Sequence, residues 1–142
     1  MIMKISDEIN LTYSSNIRGD ETWEQTFSGL KQSIPIIKNS ICPNHPFGIG
    51  LRLSAEAAEV LLTENHLDDF KSWLTETNCF ISSLNGFSYS ENSNSVTKDE
   101  IYKPDWTTDF RLQYSLDLIN ICAELIPNNF EKTIGITTTP IS

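Results

Sequence analysis

The segment FGIGLRLS, Phe47 to Ser54, presents two different sides when it is read as a β-strand. Because successive side chains of a strand point to opposite faces, large apolar residues fall on one face, and two glycines followed by Arg52 fall on the other. The apolar face consists of Phe47, Ile49, Leu51 and Leu53. This pattern predicts a strand that packs against helices on one side and, on the other, leaves space beside a guanidinium at its carboxyl end.

Three further segments show the same alternation, within residues 9–16, 79–85 and 132–142. The face predicted to pack under helices carries Ile9, Leu11, Tyr13, Phe80, Ser82, Leu84, Ile134 and Ile136. The smaller, more polar face carries Thr12, Ser14, Asn16, Ile81, Ser83, Asn85, Gly135, Thr137 and Thr139. A doubly wound sheet is apolar on both faces, whereas a barrel of βα units turns one face inward. The shared pattern favours the barrel, although a solvated edge charge with glycines at a bulge explains Arg52 alone equally well.

Apolar residues at alternating steps of four and three predict helices between these strands. The first helix begins with a capping box of Thr22 and Gln25, and Pro35 is expected to kink or split it. Ser54 is a natural N-cap for the second, which breaks near Glu64. The predicted buried stripe of the first helix is Trp23, Phe27, Leu30, Ile34, Ile37 and Ile41, and that of the last is Leu112, Leu116, Ile119, Ala123 and Ile126.

The order of these segments predicts an α/β fold in one domain, residues 1–142. About four parallel strands with three helices on the outer face form a partial TIM (βα)8 barrel, and residues 86–108 form a long loop after the third strand. A complete barrel needs about 250 residues. We therefore expect the first half of a barrel, whose open face would allow self-association with a second copy.

Composition restricts the partners and the compartment. The 142 residues carry a net charge of −9 with 39% hydrophobic residues, which indicates a folded domain. Nucleic acid and anionic membranes are disfavoured as partners, because both require clustered Lys and Arg. The three cysteines are widely spaced, no apolar run approaches the roughly 18 residues of a membrane span, and MIMKISDEIN lacks the apolar core of a signal peptide. We expect a cytoplasmic protein without membrane insertion.

Five segments together resemble, in order and spacing, the N-terminal part of the EboE family of metabolite traffic proteins. They are LTYSSNIRGDETWEQTF, PFGIGLRLS, SSLNGFSYS, IYKPDW and ITTTP, and they cover nearly the whole chain from Leu11 onward. That family is similar to the xylose-isomerase-like TIM barrels, which include sugar-phosphate isomerases and epimerases. The resemblance implies a bacterial, cytoplasmic protein that handles a small polar metabolite and is linked to export of a secondary-metabolite precursor.

The resemblance also implies a truncated chain, because members of the family carry a full-length barrel. Arg18 stands where a histidine is expected before the first helix, and residues 90–95 stand where an FHG-like piece is expected after the third strand. The chain by itself is therefore expected to be inactive. Two alternatives stay open: a sugar (phosphate) isomerase/epimerase-like enzyme of the same superfamily, and a small dimeric α/β binding module.

The candidate ligand-binding residues lie at predicted strand ends and in the long loop. Arg52 suits a bidentate contact with phosphate or carboxylate, with an internal salt bridge as its alternative role. Asn16 and Asn85 suit ligand hydroxyls, or equally well the capping of βα turns. The loop contributes Lys98, Tyr102, Asp105 and Trp106. Helix initiation by Asp105 and packing by Trp106 are their alternative roles.

Metal and cofactor chemistry is not expected from this sequence. A divalent ion in an isomerase-like barrel needs carboxylates and usually a histidine at strand ends. His45 lies in a turn before the second strand, His66 lies at a helix break, and no Asp or Glu ends a strand. We expect no metal and no cofactor in this chain, a divalent metal only in a complete barrel, and a small-molecule metabolite as the partner.

Overall fold

The computed structural model describes residues 12–15, 22–86, 103–126 and 134–138. Within these ranges the fold is α/β, as predicted, with strands that alternate with helices along the chain. The strands are β1 (Tyr13–Ser14), β2 (Phe47–Arg52), β3 (Cys79–Asn85) and β4 (Gly135–Thr137). The helices are α1 (Trp23–Ile41), α2 (Ala55–Leu61), α3 (His66–Glu76) and α4 (Asp109–Leu125).

The four strands form one all-parallel sheet in the order β1-β2-β3-β4. Each strand pairs with the next in the chain, which is the order of a βα barrel, whereas a doubly wound sheet reverses its order at a switch point. Right-handed crossovers that always step in the same direction place their helices on one face of the sheet. The arrangement is consistent with part of a barrel, and the barrel is not closed by the residues that the structure describes.

Among the residues that the structure describes there are four helices rather than the three predicted. The break near Glu64, whose φ is 51°, separates α2 from α3, so that the crossover from β2 to β3 uses two helices. Pro35 does not split α1, which runs through it for 19 residues. Proline removes one backbone donor, yet α1 continues through Pro35, and Ile34 and Lys38 on either side of it are both buried.

The hydrophobic core lies between the sheet and the helices. Ile49, Leu51, Ile81 and Leu84 project from the central strands and are completely or almost completely buried. An aromatic group from α1 and α3 packs around Trp23, whose ring stacks on Phe27 at 5.2 Å and meets Phe70 edge-on at 5.1 Å. The predicted apolar face of β2 is therefore confirmed.

The predicted faces of β3 are wrong over the first half of the strand. Ile81 is fully buried under the helices, while Phe80 is half-buried and is paired with Gly48. The register shifts between Ile49 and Gly50 because β3 contains one additional residue there, Ser82. Such a bulge reverses the alternation of a strand, so that Leu84 returns to the buried face as predicted.

The predicted buried stripe of α4 is also wrong. The residues that face the core are Arg111, Tyr114, Leu118, Ile121, Cys122 and Leu125. Leu112, Leu116, Ile119 and Ile126 are instead 51, 43, 51 and 40% exposed. Two apolar stripes with similar spacing run along this helix, and the buried one contains an arginine and a tyrosine whose polar atoms bind the ends of strands.

Candidate functional site

Three polar residues meet at the carboxyl edge of the sheet. Arg52 ends β2, Asn85 ends β3 and Thr137 ends β4, and the strand register pairs Arg52 with Asn85 and Asn85 with Thr137. Adjacent strands lie about 4.8 Å apart, and directly paired residues point to the same face. These three residues form what we name the polar row, on the face opposite the helices.

A hydrogen bond orients the middle of the polar row. The Thr137 hydroxyl donates to Asn85 Oδ1 at 3.1 Å. Because Oδ1 accepts this bond, the remaining polar group of the Asn85 amide is its NH2 donor. A guanidinium presents only N–H donors. The row therefore combines a guanidinium, an amide and a hydroxyl, a composition that suits a ligand rich in oxygen acceptors.

A layer of small side chains lies below the polar row. Ser14, Gly50, Ser83 and Gly135 occupy one level of the sheet, each paired with the next. Two serine hydroxyls and two glycines thus form the layer directly beneath the polar row.

The glycines of β2 do not leave an empty space, and the sequence interpretation was wrong on this point. A Cβ at Gly48 would lie 3.1 Å from Phe80 Cζ and 3.0 Å from Thr12 Cγ2. A Cβ at Gly50 would lie 3.0 Å from Ser83 Oγ. The glycines accommodate the side chains of neighbouring strands, which bring Phe80 over β2 and Ser83 close to the backbone of Gly50.

Two buried residues of α4 hold the chain just beyond β2 and β3. The Tyr114 hydroxyl donates to the Leu53 carbonyl oxygen at 2.6 Å. Arg111 is fully buried; its Nε donates to the Pro104 carbonyl at 2.7 Å and one terminal nitrogen donates to the Gly86 carbonyl at 3.0 Å. Leu53 and Gly86 directly follow Arg52 and Asn85 in the chain, so α4 positions the polar row.

Sequence reasoning missed Arg111 and Tyr114. A signal for them exists, because an arginine and a tyrosine three residues apart continue in helical spacing through Leu118 and Leu125. Polar side chains in line with an apolar stripe are buried only when they find partners, and here the carbonyl groups after the strands are those partners.

Replacing Tyr114 with phenylalanine is expected to lower the free energy of unfolding by about 1–2 kcal/mol. The change removes one hydroxyl and leaves the Leu53 carbonyl in a buried position without this donor. Urea unfolding followed by tryptophan fluorescence measures the effect. An unfolding free energy equal to that of the wild type would show that the bond does not hold the end of β2.

Asp105 and Trp106 lie in the turn that precedes α4. The Asp105 carboxylate accepts hydrogen bonds from the amide of Thr107 at 2.9 Å and from its hydroxyl at 2.5 Å. These bonds hold the pKa of Asp105 below its ordinary value. The Thr108 side chain then accepts from Arg111 N as the N-cap of α4. Asp105 therefore builds the turn, and Trp106 is 39% exposed within it.

Three of the predicted ligand-binding residues are not among the residues that the structure describes. Asn16, Lys98 and Tyr102, together with Arg18 and residues 90–95, lie outside the described residues. The structure thus brings two of the seven predicted ligand-binding residues, Arg52 and Asn85, into one row.

The histidines and cysteines lie away from the polar row. His45 precedes β2, at the opposite edge of the sheet, and His66 begins α3. All three cysteines are buried, and burial raises the pKa values of Cys79 and Cys122. In the part of the chain that the structure describes, no three His, Cys, Asp or Glu side chains are grouped so as to hold a metal ion. In the same ranges, no helix has both the length and the apolar character needed to cross a membrane.

Comparisons with protein families, with characterised proteins and with solved structures gave no match for this chain.

Proposed function

We propose that this chain is a cytoplasmic metabolite-handling protein of the EboE type, and that its polar row binds a small polar molecule carrying a phosphate or a carboxylate. One observation supports this above all: Arg52, Asn85 and Thr137 end three adjacent parallel strands and lie in one register. In βα barrels the carboxyl ends of the strands are where ligands bind.

The chemistry of the row favours an anionic ligand. Arginine binds carboxylate and phosphate through two parallel hydrogen bonds. The neighbouring amide and hydroxyl suit sugar-like hydroxyl groups next to the anion. The chain carries 19 acidic against 10 basic residues, so a basic side chain at a strand end is an uncommon feature of this sequence.

Binding without turnover is favoured over catalysis. Neither imidazole of the chain lies at the carboxyl edge, because His45 precedes β2 and His66 begins α3. The carboxylate of Asp105 accepts two hydrogen bonds from Thr107, and its lowered pKa makes it a weak base at neutral pH. A sugar-phosphate isomerase or epimerase activity is the alternative, and it predicts turnover that depends on added divalent metal.

Titration calorimetry of the chain with a hexose phosphate and with the same unphosphorylated hexose tests the proposal. We expect the phosphate ester to bind more tightly. Replacing Arg52 with glutamine should weaken its binding by about 10- to 100-fold, the worth of a charge-assisted hydrogen bond of about 1.5–3 kcal/mol.

Lys31→Gln is the matched control, since it removes one positive charge from α1, where the ammonium lies over the Phe27 ring at 4.1 Å. It should leave the affinity unchanged. Equal binding of both sugars, or an affinity that Arg52→Gln does not alter, would refute an anion site at the row. Conversion of the sugar phosphate in the presence of Mg²⁺ or Mn²⁺ would favour the enzyme.

A further inference from the structure

The charged member of the polar row, Arg52, is held in place through the residues that follow it. The carbonyl of Leu53 accepts a hydrogen bond of 2.6 Å from the hydroxyl of Tyr114, whose side chain is buried. Ser54 then accepts a hydrogen bond of 3.0 Å from the amide of Ala57 as the N-cap of α2. The backbone directly after Arg52 is therefore fixed to two helices, and Tyr114 supplies the bond to α4.

The uncharged members of the row, Asn85 and Thr137, are held through a different residue of α4. Gly86 follows Asn85 in the chain. Its carbonyl accepts a hydrogen bond of 3.0 Å from the guanidinium of Arg111, and its amide donates to the Thr137 carbonyl at 2.9 Å. The Thr137 hydroxyl in turn donates to Asn85 Oδ1. Arg111 therefore acts on both uncharged members through Gly86.

The two attachments reach different strand ends but start from one turn of α4. Arg111 and Tyr114 are three residues apart, and the guanidinium carbon lies 5.5 Å from the centroid of the Tyr114 ring. Residues at this spacing lie on the same face of a helix, at a separation that the helical geometry fixes. Helix α4 thus sets the position of the end of β2 relative to the end of β3.

We propose that Tyr114 and Arg111 are positioning residues that act on different parts of the ligand of the polar row. Tyr114 orients the guanidinium that binds the anion, whereas Arg111 orients the amide and the hydroxyl that bind the ligand's hydroxyl groups. Binding groups act at full strength only when the surrounding side chains hold them in the productive geometry. The proposal rests on the anion site proposed above, and it adds that α4 determines how strongly the row prefers a sugar phosphate to inorganic phosphate.

Titration calorimetry of the whole chain with inorganic phosphate and with a hexose phosphate tests the proposal. Tyr114→Phe removes the hydroxyl and keeps the ring, so it should weaken the binding of both ligands by the same factor, about 3- to 10-fold. Arg111→Lys keeps the charge but not the fork, so it should weaken the hexose phosphate by about 3- to 10-fold and leave inorganic phosphate within about twofold. The preference for the sugar phosphate should therefore fall only in Arg111→Lys.

Tyr13→Phe is the matched control. The Tyr13 ring stacks on Phe47 at 6.3 Å and packs against the core, so its variant should bind both ligands as the wild type does. A loss of stability alone would lower the number of binding sites per chain and leave the dissociation constant unchanged, so calorimetry separates it from a positioning effect.

Two results would overturn the positioning roles while the anion site stands. In the first, the wild type binds the hexose phosphate, and Tyr114→Phe and Arg111→Lys keep its dissociation constants. In the second, both variants weaken both ligands by one common factor, which would show that α4 does not act separately on the two ends of the ligand. A wild-type chain that binds neither ligand would refute the anion site itself, and the positioning roles with it.

Discussion

Replacing Arg111 with methionine is expected to lower the free energy of unfolding by about 3 kcal/mol. The guanidinium is fully buried and donates to the carbonyls of Gly86 and Pro104 at 3.0 and 2.7 Å. Methionine fills a similar volume but donates nothing, so both oxygens lose a charged donor in a place with little water. Domains are stable by only about 5–15 kcal/mol, so this is a large fraction of the total.

Urea unfolding followed by the fluorescence of the buried Trp23 measures the change. Lys103→Met is the control: it also exchanges a cation for methionine, next to Pro104 but at an exposed position, and should change the unfolding free energy by less than about 0.5 kcal/mol. Arg111→Lys separates charge from geometry, since one ammonium does not reproduce the fork that reaches both carbonyls. Equal stability of the Arg111→Met and Lys103→Met proteins would contradict the assigned role.

Replacing Gly86 with alanine is expected to destabilise the fold by about 2–3 kcal/mol. Gly86 follows β3, and its amide donates to the Thr137 carbonyl at 2.9 Å. An added Cβ would lie 2.9 Å from that same oxygen and would collide with the side chain of Leu118, which is 2% exposed. Because the oxygen belongs to the backbone of the neighbouring strand, β4 must shift to accommodate the methyl group.

Gly29→Ala is the control for Gly86→Ala, because the same substitution is expected to stabilise the protein at position 29. Gly29 lies in the middle of α1, and a Cβ there would meet nothing within 4 Å. Alanine at this site should stabilise the protein by about 0.5–1 kcal/mol, because glycine is a poor helix former. Thermal unfolding of both variants beside the wild type compares them. Similar changes in the melting temperature of the two variants would show that backbone entropy, rather than the close approach of β4, determines the change in stability at Gly86.

The sequence pattern predicted the fold class because each strand is two-sided and the first three are each followed by helical spacing. It predicted the faces of β2 correctly and those of β3 only in part, since Phe80 and Ile81 exchange roles at a bulge. Alternation assumes a period of two throughout a strand, and the additional residue Ser82 breaks that period without any change in composition.

The same limits apply to the candidate site. Arg52 and Asn85 were predicted at strand ends because parity and strand length place them there. The hydrogen bond from Thr137 to Asn85 depends on the register between strands that are 52 residues apart, which no local pattern specifies. The buried face of α4 was mispredicted for a related reason: hydrophobicity alone ranks Leu112 and Leu116 above Arg111, whose burial depends on carbonyl partners contributed by distant parts of the chain.

Arg111 donates two hydrogen bonds, and together they bear on how the sequence between their acceptors can change. Gly86 and Pro104 lie on either side of residues 87–102, and one guanidinium fixes both of these anchor points. The closure entropy of a segment between fixed ends grows only as the logarithm of its length, by about 0.6 kcal/mol for each doubling. We therefore expect the sheet edge at Gly86 to keep its shape when the chain between Gly86 and Pro104 is changed, as long as Arg111 still binds both carbonyls.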